Sequence, residues 1–196
     1  LVFNGEIYNH KLIRKDLEQN KSFLENNFSW EGKSDTETLL ASISIIGMPK
    51  TLEKLVGMFA IACWDLKSKS LFLARDRLGE KPLYYGYKND LFIFASELDS
   101  FGEVKGFPLE INKEIIPFYL SRSYVPAPFS IYKDIYKLKP GTYLEINSAE
   151  IKGNYKFNPI KYWDLTEELV KNQNLEFKTS DSKLIVNIDY LIRNSI

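Results

Sequence analysis

One cysteine and one histidine in 196 residues remove several classes of chemistry at once. A lone thiol, Cys63, forms no intrachain disulfide, and one His with one Cys falls short of the four ligands of a structural zinc site. A Ser-His-Asp triad would have to be built on His10, yet no nucleophile elbow of the form GxSxG is present. The GxxxxGK[ST] phosphate loop is missing too. No apolar run approaches the ~18 residues of a membrane span, and no basic start with an apolar stretch behind it marks a secretory signal. With 26 basic and 26 acidic residues the formal net charge is zero. Neither sign forms a run that would fit a polyanion. These exclusions point to a cytoplasmic location, with no nucleic acid and no membrane among the partners.

What is present is the composition of a globular protein, 44% hydrophobic and 27% charged, long enough to bury a sizeable core. Leu1-Val2-Phe3 is an apolar run leading straight into a polar turn, so the sequence reads as entered within a strand, with residues expected upstream. Asn9 is placed to cap a first helix through Leu12, Ile13 and Leu17. Ser34 and Glu37 have capping-box spacing ahead of a second helix that stops at Gly47, and Thr51 opens a third, short one ending by Gly57. From Met58 the texture turns to strands: MFAIACWDL, LFLARDRLG, KPLYYGY and LFIFASE, read as one antiparallel meander covered on both faces. A helix over 111–120 capped by Asn112, an extended YVPAPFSIY segment and a strand TYLEI after Lys139-Pro140-Gly141 follow. Residues 166–179 read as a polar linker and residues 180–196 as a helix of a further domain.

Few residues offer chemistry. Asn4-Gly5-Glu6 sits at a strand-to-loop transition, where glycine lets backbone approach a ligand and an asparagine amide donates beside it. Two such donors aimed at one oxygen make an oxyanion hole; the same tripeptide also reads as an Asn-Gly turn with a solvated glutamate. Asp35, in the first turn of the second helix, suits the helix dipole, or pairs with a substrate ammonium together with Glu6. Cys63, inside an apolar strand with no cation nearby, reads as core packing rather than a nucleophile. His10 reads as a surface residue. Arg75-Asp76-Arg77, which joins two strands, reads as a salt-bridged turn.

Taken together, NGEIYNH (residues 4–10), SDTETLL (34–40), GMFAIACWD (57–65), ARDRLGEKPLYY (74–85), FASEL (94–98), YVPAPFSIYKDIYKLKPGTYL (124–144) and YWDL (162–165) resemble, in order and spacing, the glutaminase domain of the asparagine synthetase family. These are class II glutamine amidotransferases. The resemblance covers most of residues 1–165. It implies an α+β fold, the four-layer αββα sandwich of antiparallel sheets found in N-terminal-nucleophile (Ntn) hydrolases. It implies a glutaminase domain at 1–165, a linker at 166–179, and at 180–196 the first helix of a synthetase domain.

By the same resemblance Asn4 and Gly5 correspond to the oxyanion hole, and Asn4, Gly5, Glu6 and Asp35 to the residues that bind L-glutamine. The family's nucleophile is an N-terminal cysteine whose own α-amino group is the base. The sequence shows neither that cysteine nor the upstream arginine that holds the glutamine carboxylate, so these 196 residues alone are expected to be inactive. No metal or cofactor is expected in them; ATP and magnesium belong to the synthetase domain, reached through an SGGxDS loop beyond the last residue. The synthetase domain of the same chain is the implied partner, and the resemblance allows a homodimer. Two alternatives stay open: an amidotransferase with a sugar or peptide-like acceptor, and a non-catalytic glutamine-binding module.

Overall fold

The computed structural model describes residues 1–25, 28–147, 156–172 and 181–194. They divide into two compact units, Leu1–Trp163 and Asp164–Ile196.

Two antiparallel sheets form the middle of the first unit. The larger has the order β1 (Val2–Ile7), β2 (Gly57–Asp65), β3 (Ser70–Arg75), β7 (Thr142–Asn147), β8 (Ile160–Lys161). The smaller has β5 (Leu91–Ala95), β4 (Tyr84–Lys88), β6 (Ile135–Lys137). Alternation along β2 shows how they stack. Phe59, Ile61 and Cys63 join one core cluster with residues of four helices, while Ala60 and Ala62 join another with Leu83 and Tyr85 from the smaller sheet. The helices are α1 (His10–Glu18), α2 (Lys21–Glu25), α3 (Asp35–Ile46) and α4 (Met48–Lys54). On the far side of the smaller sheet, α5 (Asp99–Gly102) and the chain after it bring Phe101 and Phe107 against Ile135. The layers are therefore helices, sheet, sheet, helix, as expected of the αββα sandwich.

The four strands after Met58 are not one meander. β2–β3 and β4–β5 are hairpins in different sheets, because the intervening ARDRLGEKP turn is tied down by a buried carboxylate and carries the chain from one layer to the next. The β4–β5 turn is read correctly: Asn89 and Asp90 both take positive φ, 52° and 61°, as a two-residue hairpin turn requires. The third helix begins earlier than Thr51, since Pro49 is suited to its first turn. Residues 111–115 are not helical: Ile111 bridges to Tyr132, the Asn112 side chain accepts from the Glu114 amide, and α6 (Ile116–Arg122) starts only afterwards, with no buried residue. Asn9 does stand at the start of α1, but its side chain makes no cap bond; it donates to Lys54 O at 2.8 Å and accepts from Val56 N at 2.9 Å.

The second unit contains α7 (Leu165–Asn172) and α8 (Asp181–Asn194). Helix α7 lies where the sequence reads as linker. It forms because the Asp164 carboxylate accepts from the amides of Thr166 and Glu167, and because Glu167 and Glu168 suit its first turn. The rest of that linker, 173–179, lies outside the described residues. No helix among the described residues is long and apolar enough to cross a membrane.

Candidate functional site

The site is built on the outer flank of β1. Among the described residues this strand ends its sheet, paired with β2 alone from Val2↔Ala62 to Ile7↔Gly57 without a bulge. Side chains at positions 3 and 7 pack into the helix-side cluster. Val2, Asn4 and Glu6 therefore share the opposite face, the one that looks toward the second sheet. Asn4 and Glu6 are both exposed there. The backbone alternates in the same way. Tyr8 N donates to Val56 O at 2.8 Å, so the amides of even-numbered residues face β2, and those of Gly5 and Ile7 face outward. Phe59, opposite Gly5, agrees with this, because both its N–H and its C=O bond to Asp76 on its other side.

Gly5 has φ 153°, and a Cβ there would meet Met58 O at 2.1 Å and Phe59 Cα at 2.7 Å. The position admits glycine only, and an outward N–H beside the Asn4 amide is what it provides. One pleat along, the Ile7 N–H donates to Asp35 Oδ2 at 3.0 Å. Asp35 Oδ1 accepts from the Thr36 amide at 2.7 Å. Asp35 thus serves its own helix start and also reaches the strand edge, roughly 6–7 Å from the Gly5 amide by strand geometry. The structure brings all four candidate residues, Asn4, Gly5, Glu6 and Asp35, to one end of one strand.

Two further groups share this neighbourhood. The Tyr8 hydroxyl is held above its ordinary value by desolvation first, then by the carboxylates of Glu80, Glu6 and Asp76. Asn4 Nδ2 donates to Ser96 Oγ at 3.0 Å, across to the end of β5 in the other sheet. Neither Glu80 nor Ser96 stands out in the sequence, although both lie within motifs that carry the resemblance.

Arg14 fixes the start of α3. Its guanidinium donates to Gly32 O (2.7 Å), Glu37 Oε2 (2.9 Å), Thr38 Oγ1 (3.0 Å) and Ser34 O (3.2 Å), and lies 4.0 Å from the centre of the Trp30 ring. The capping box is half made: Ser34 Oγ accepts from the Glu37 amide, but the Glu37 carboxylate accepts from Glu31 N and Gly32 N instead of returning to Ser34. The Glu31 amide, then Arg14, holds Glu37 below the ordinary glutamate value.

Behind the strand pair, Asp76 is 1% exposed, and its carboxylate accepts four backbone amides: Glu80 and Lys81 at 2.9 Å, Leu78 at 3.1 Å and Phe59 at 3.3 Å. Arg75, also buried, donates to the carbonyls of Gly79, Lys81 and Leu138 at 2.6–2.8 Å. Burial lowers its pKa, opposed by Asp76. The pair is no salt-bridged turn; each side chain satisfies backbone. Tyr162 OH donates to Arg75 O, and the amides of Tyr162 and Trp163 both donate to Gly141 O, so three of the motif segments meet at this turn.

Cys63 is buried on the helix side of β2, the face opposite Asn4 and Glu6, and burial pushes its thiol up. It is core packing. His10 opens α1 half-buried, with Nδ1 enclosed and without a partner, rather than lying on the surface.

Comparison with known proteins follows the same outline. A putative asparagine synthetase [glutamine-hydrolyzing] 2 of Methanocaldococcus jannaschii is 34% identical over 171 residues, 85% of this chain and 30% of that protein. Asparagine synthetase [glutamine-hydrolyzing] 1 of Bacillus subtilis is 37% identical over 146 residues, 74% of this chain and 22% of that protein. The chain thus spans less than a third of either relative. Among solved structures, the glutamine phosphoribosylpyrophosphate amidotransferase of Bacillus subtilis superposes with a TM-score of 0.52 at 19% identity, covering 83% of this chain and 28% of that one; the fold is the Ntn-hydrolase type. The family profile described as a glutamine amidotransferase domain matches residues 1–163, the whole first unit with its open strand edge and its Asp76 turn, and the chain belongs to that family.

Proposed function

We propose that this chain is the glutamine-binding, glutaminase part of a glutamine-hydrolysing asparagine synthetase. The observation that carries the reading is the outer edge of β1, where an outward Gly5 amide, the Asn4 carboxamide and the Asp35 and Glu6 carboxylates converge. The α-ammonium of L-glutamine pairs with Asp35 and Glu6. Its side-chain carbonyl oxygen takes hydrogen bonds from Gly5 N–H and Asn4 Nδ2. When a thiolate attacks that carbonyl carbon, the C=O π electrons move to oxygen, and donors already in place stabilise the charge without reorganising. Removing one oxyanion-hole donor costs roughly 10²–10³ in kcat. As the oxyanion collapses, the C–N bond breaks, its nitrogen takes up a proton and leaves as ammonia, and water then hydrolyses the thioester to glutamate and the free thiol.

Cys63 is not that thiolate, since it lies in the core on the wrong face of β2. The reading requires an N-terminal cysteine ahead of Leu1, with its α-amino group as base. The freed ammonia serves a synthetase domain of the same chain, where ATP and magnesium activate aspartate; none of the present residues is assigned to those two. Homology to named asparagine synthetases supports aspartate as acceptor over a sugar or peptide.

The test is product analysis on the complete gene product. Glutamine-dependent formation of asparagine and glutamate, with aspartate-dependent diphosphate release, is expected. Glutamate release with no asparagine formed and no aspartate-dependent diphosphate release would move the acceptor elsewhere. No glutamate release at all would leave a binding module. The 196-residue chain by itself should release none.

A further inference from the structure

We propose that Ser96 is the positioning residue of the Asn4 carboxamide, anchoring the end of that exposed side chain to the second sheet, a role that rests on the glutaminase reading above. An exposed asparagine side chain samples several rotamers, and its carboxamide carries two N–H donors. A donor serves a developing oxyanion only when it stands within hydrogen-bond reach of where that oxygen forms. Asn4 is exposed and has a single side-chain hydrogen bond, Nδ2 to Ser96 Oγ at 3.0 Å. That bond uses one of the two N–H groups and leaves the other to the substrate.

Ser96 is suited to this because it is itself held. It follows directly on Ala95, which pairs with Tyr84 at the end of β5, and two residues later Leu98 O accepts from the amide of the fully buried Phe101. The hydroxyl therefore stands at a fixed point of the second sheet and reaches the first. No motif assigned to glutamine binding includes it, and FASEL has no other role in the site. A carbonyl or carboxylate at this position would also accept from Nδ2. A hydroxyl does so without adding charge beside an oxygen that becomes negative in the reaction.

Steady-state kinetics on the complete gene product test the assignment. Ser96→Ala is expected to lower kcat for glutamine about tenfold with KM changed less than about twofold, since the donor matters most when charge develops. Ser96→Thr, which keeps the hydroxyl, should restore most of it. In an Asn4→Ala background the serine substitution should cost nothing further. If the Asn4–Ser96 bond only joined the two sheets, the Ser96→Ala loss would extend to ammonia-dependent synthesis and would overturn the proposal; so would a further loss on top of Asn4→Ala, or an unchanged kcat in Ser96→Ala. If Asn4→Ala itself leaves glutamine hydrolysis unchanged, the glutaminase reading of Asn4 fails and the positioning role falls with it, an outcome separate from those above.

Discussion

Asp35 and Asp76 are both aspartates that accept backbone amides next to the β1–β2 pair, and they differ in what they leave over. Asp76 is buried, and its four amides fill the roughly four lone-pair directions a carboxylate has. Nothing remains for a ligand. Asp35 is half-buried; Oδ2 takes only the Ile7 amide, so one lone-pair direction stays open at the strand edge. The same side chain is a structural plug in one place and a binding group in the other. Saturation with backbone donors, more than burial alone, separates the two roles.

Substitutions at the two positions test that contrast. Asp76→Ala should be the most damaging, because it strands four amides in a dry setting at about 1–3 kcal/mol each when unsatisfied. A loss of about 4 kcal/mol or more is expected in urea unfolding, or failure to fold at all. A variant that folds and unfolds like the wild type would mean water replaces the carboxylate.

Next in size is Arg14→Ala, expected to cost about 2–3 kcal/mol through lost charge-assisted bonds and contact with Trp30. It also bears on acid stability. Glu37 is held below its ordinary value in the folded state, by the Glu31 amide first and then by Arg14. Its contribution is therefore present above the ordinary glutamate value and is lost as pH falls through the folded value. Unfolding midpoints measured from pH 6 down to pH 3 should drop in the wild type below about pH 4.5, and less steeply in Glu37→Gln. Parallel curves would dismiss Glu37 as an acid-sensitive support of α3.

Asp35→Ala should weaken glutamine use in the complete enzyme by roughly 1.5–3 kcal/mol, about tenfold to a hundredfold in kcat/KM, from the lost bond to the substrate ammonium. Ammonia-dependent synthesis should stay near its original rate. Because the Ile7 and Thr36 amides lose their acceptor as well, a stability cost of about 1 kcal/mol is expected alongside. Equal losses with both nitrogen sources would reduce Asp35 to another Asp76. Smallest of all is the effect at Cys63: with its thiol buried and its pKa raised, a disulfide reagent at pH 8 should react only slowly until denaturant is added. Rapid native-state labelling would contradict its place in the core.

Residue pattern carried much of this. The apolar run MFAIACW marked β2 as covered on both faces and Ser34 marked the start of α3, whereas Asn-Gly-Glu and Asp35 became candidate binding groups only through the family resemblance. What escaped was whatever depends on partners distant in sequence. Arg14 looks like any charge on an amphipathic helix until residues 32–38 fold back onto it. Ser96 is one serine after a strand until β1 arrives from 92 positions away. The sheet change between β3 and β4 was hidden because a side chain, Asp76, does there what a ladder does elsewhere, and period-two patterning cannot see that. Residues 166–172 looked like linker because their helix rests on a cap and surface charges rather than on an apolar stripe.

The Arg75–Asp76 turn has a consequence for exchange with solvent. An acceptor-only side chain holds the amides of Phe59, Leu78, Glu80 and Lys81, and a donor-only neighbour holds three carbonyls of the surrounding chain. Irregular backbone of this kind usually trades its amide protons for deuterium within the time of mixing, as frayed loops do. Here Leu78, Glu80 and Lys81 should keep their protons about as long as the central strands, and release them only when the first unit opens as a whole. In a deuterium map this loop, with none of the regular backbone pairing of its neighbours, should be indistinguishable from sheet.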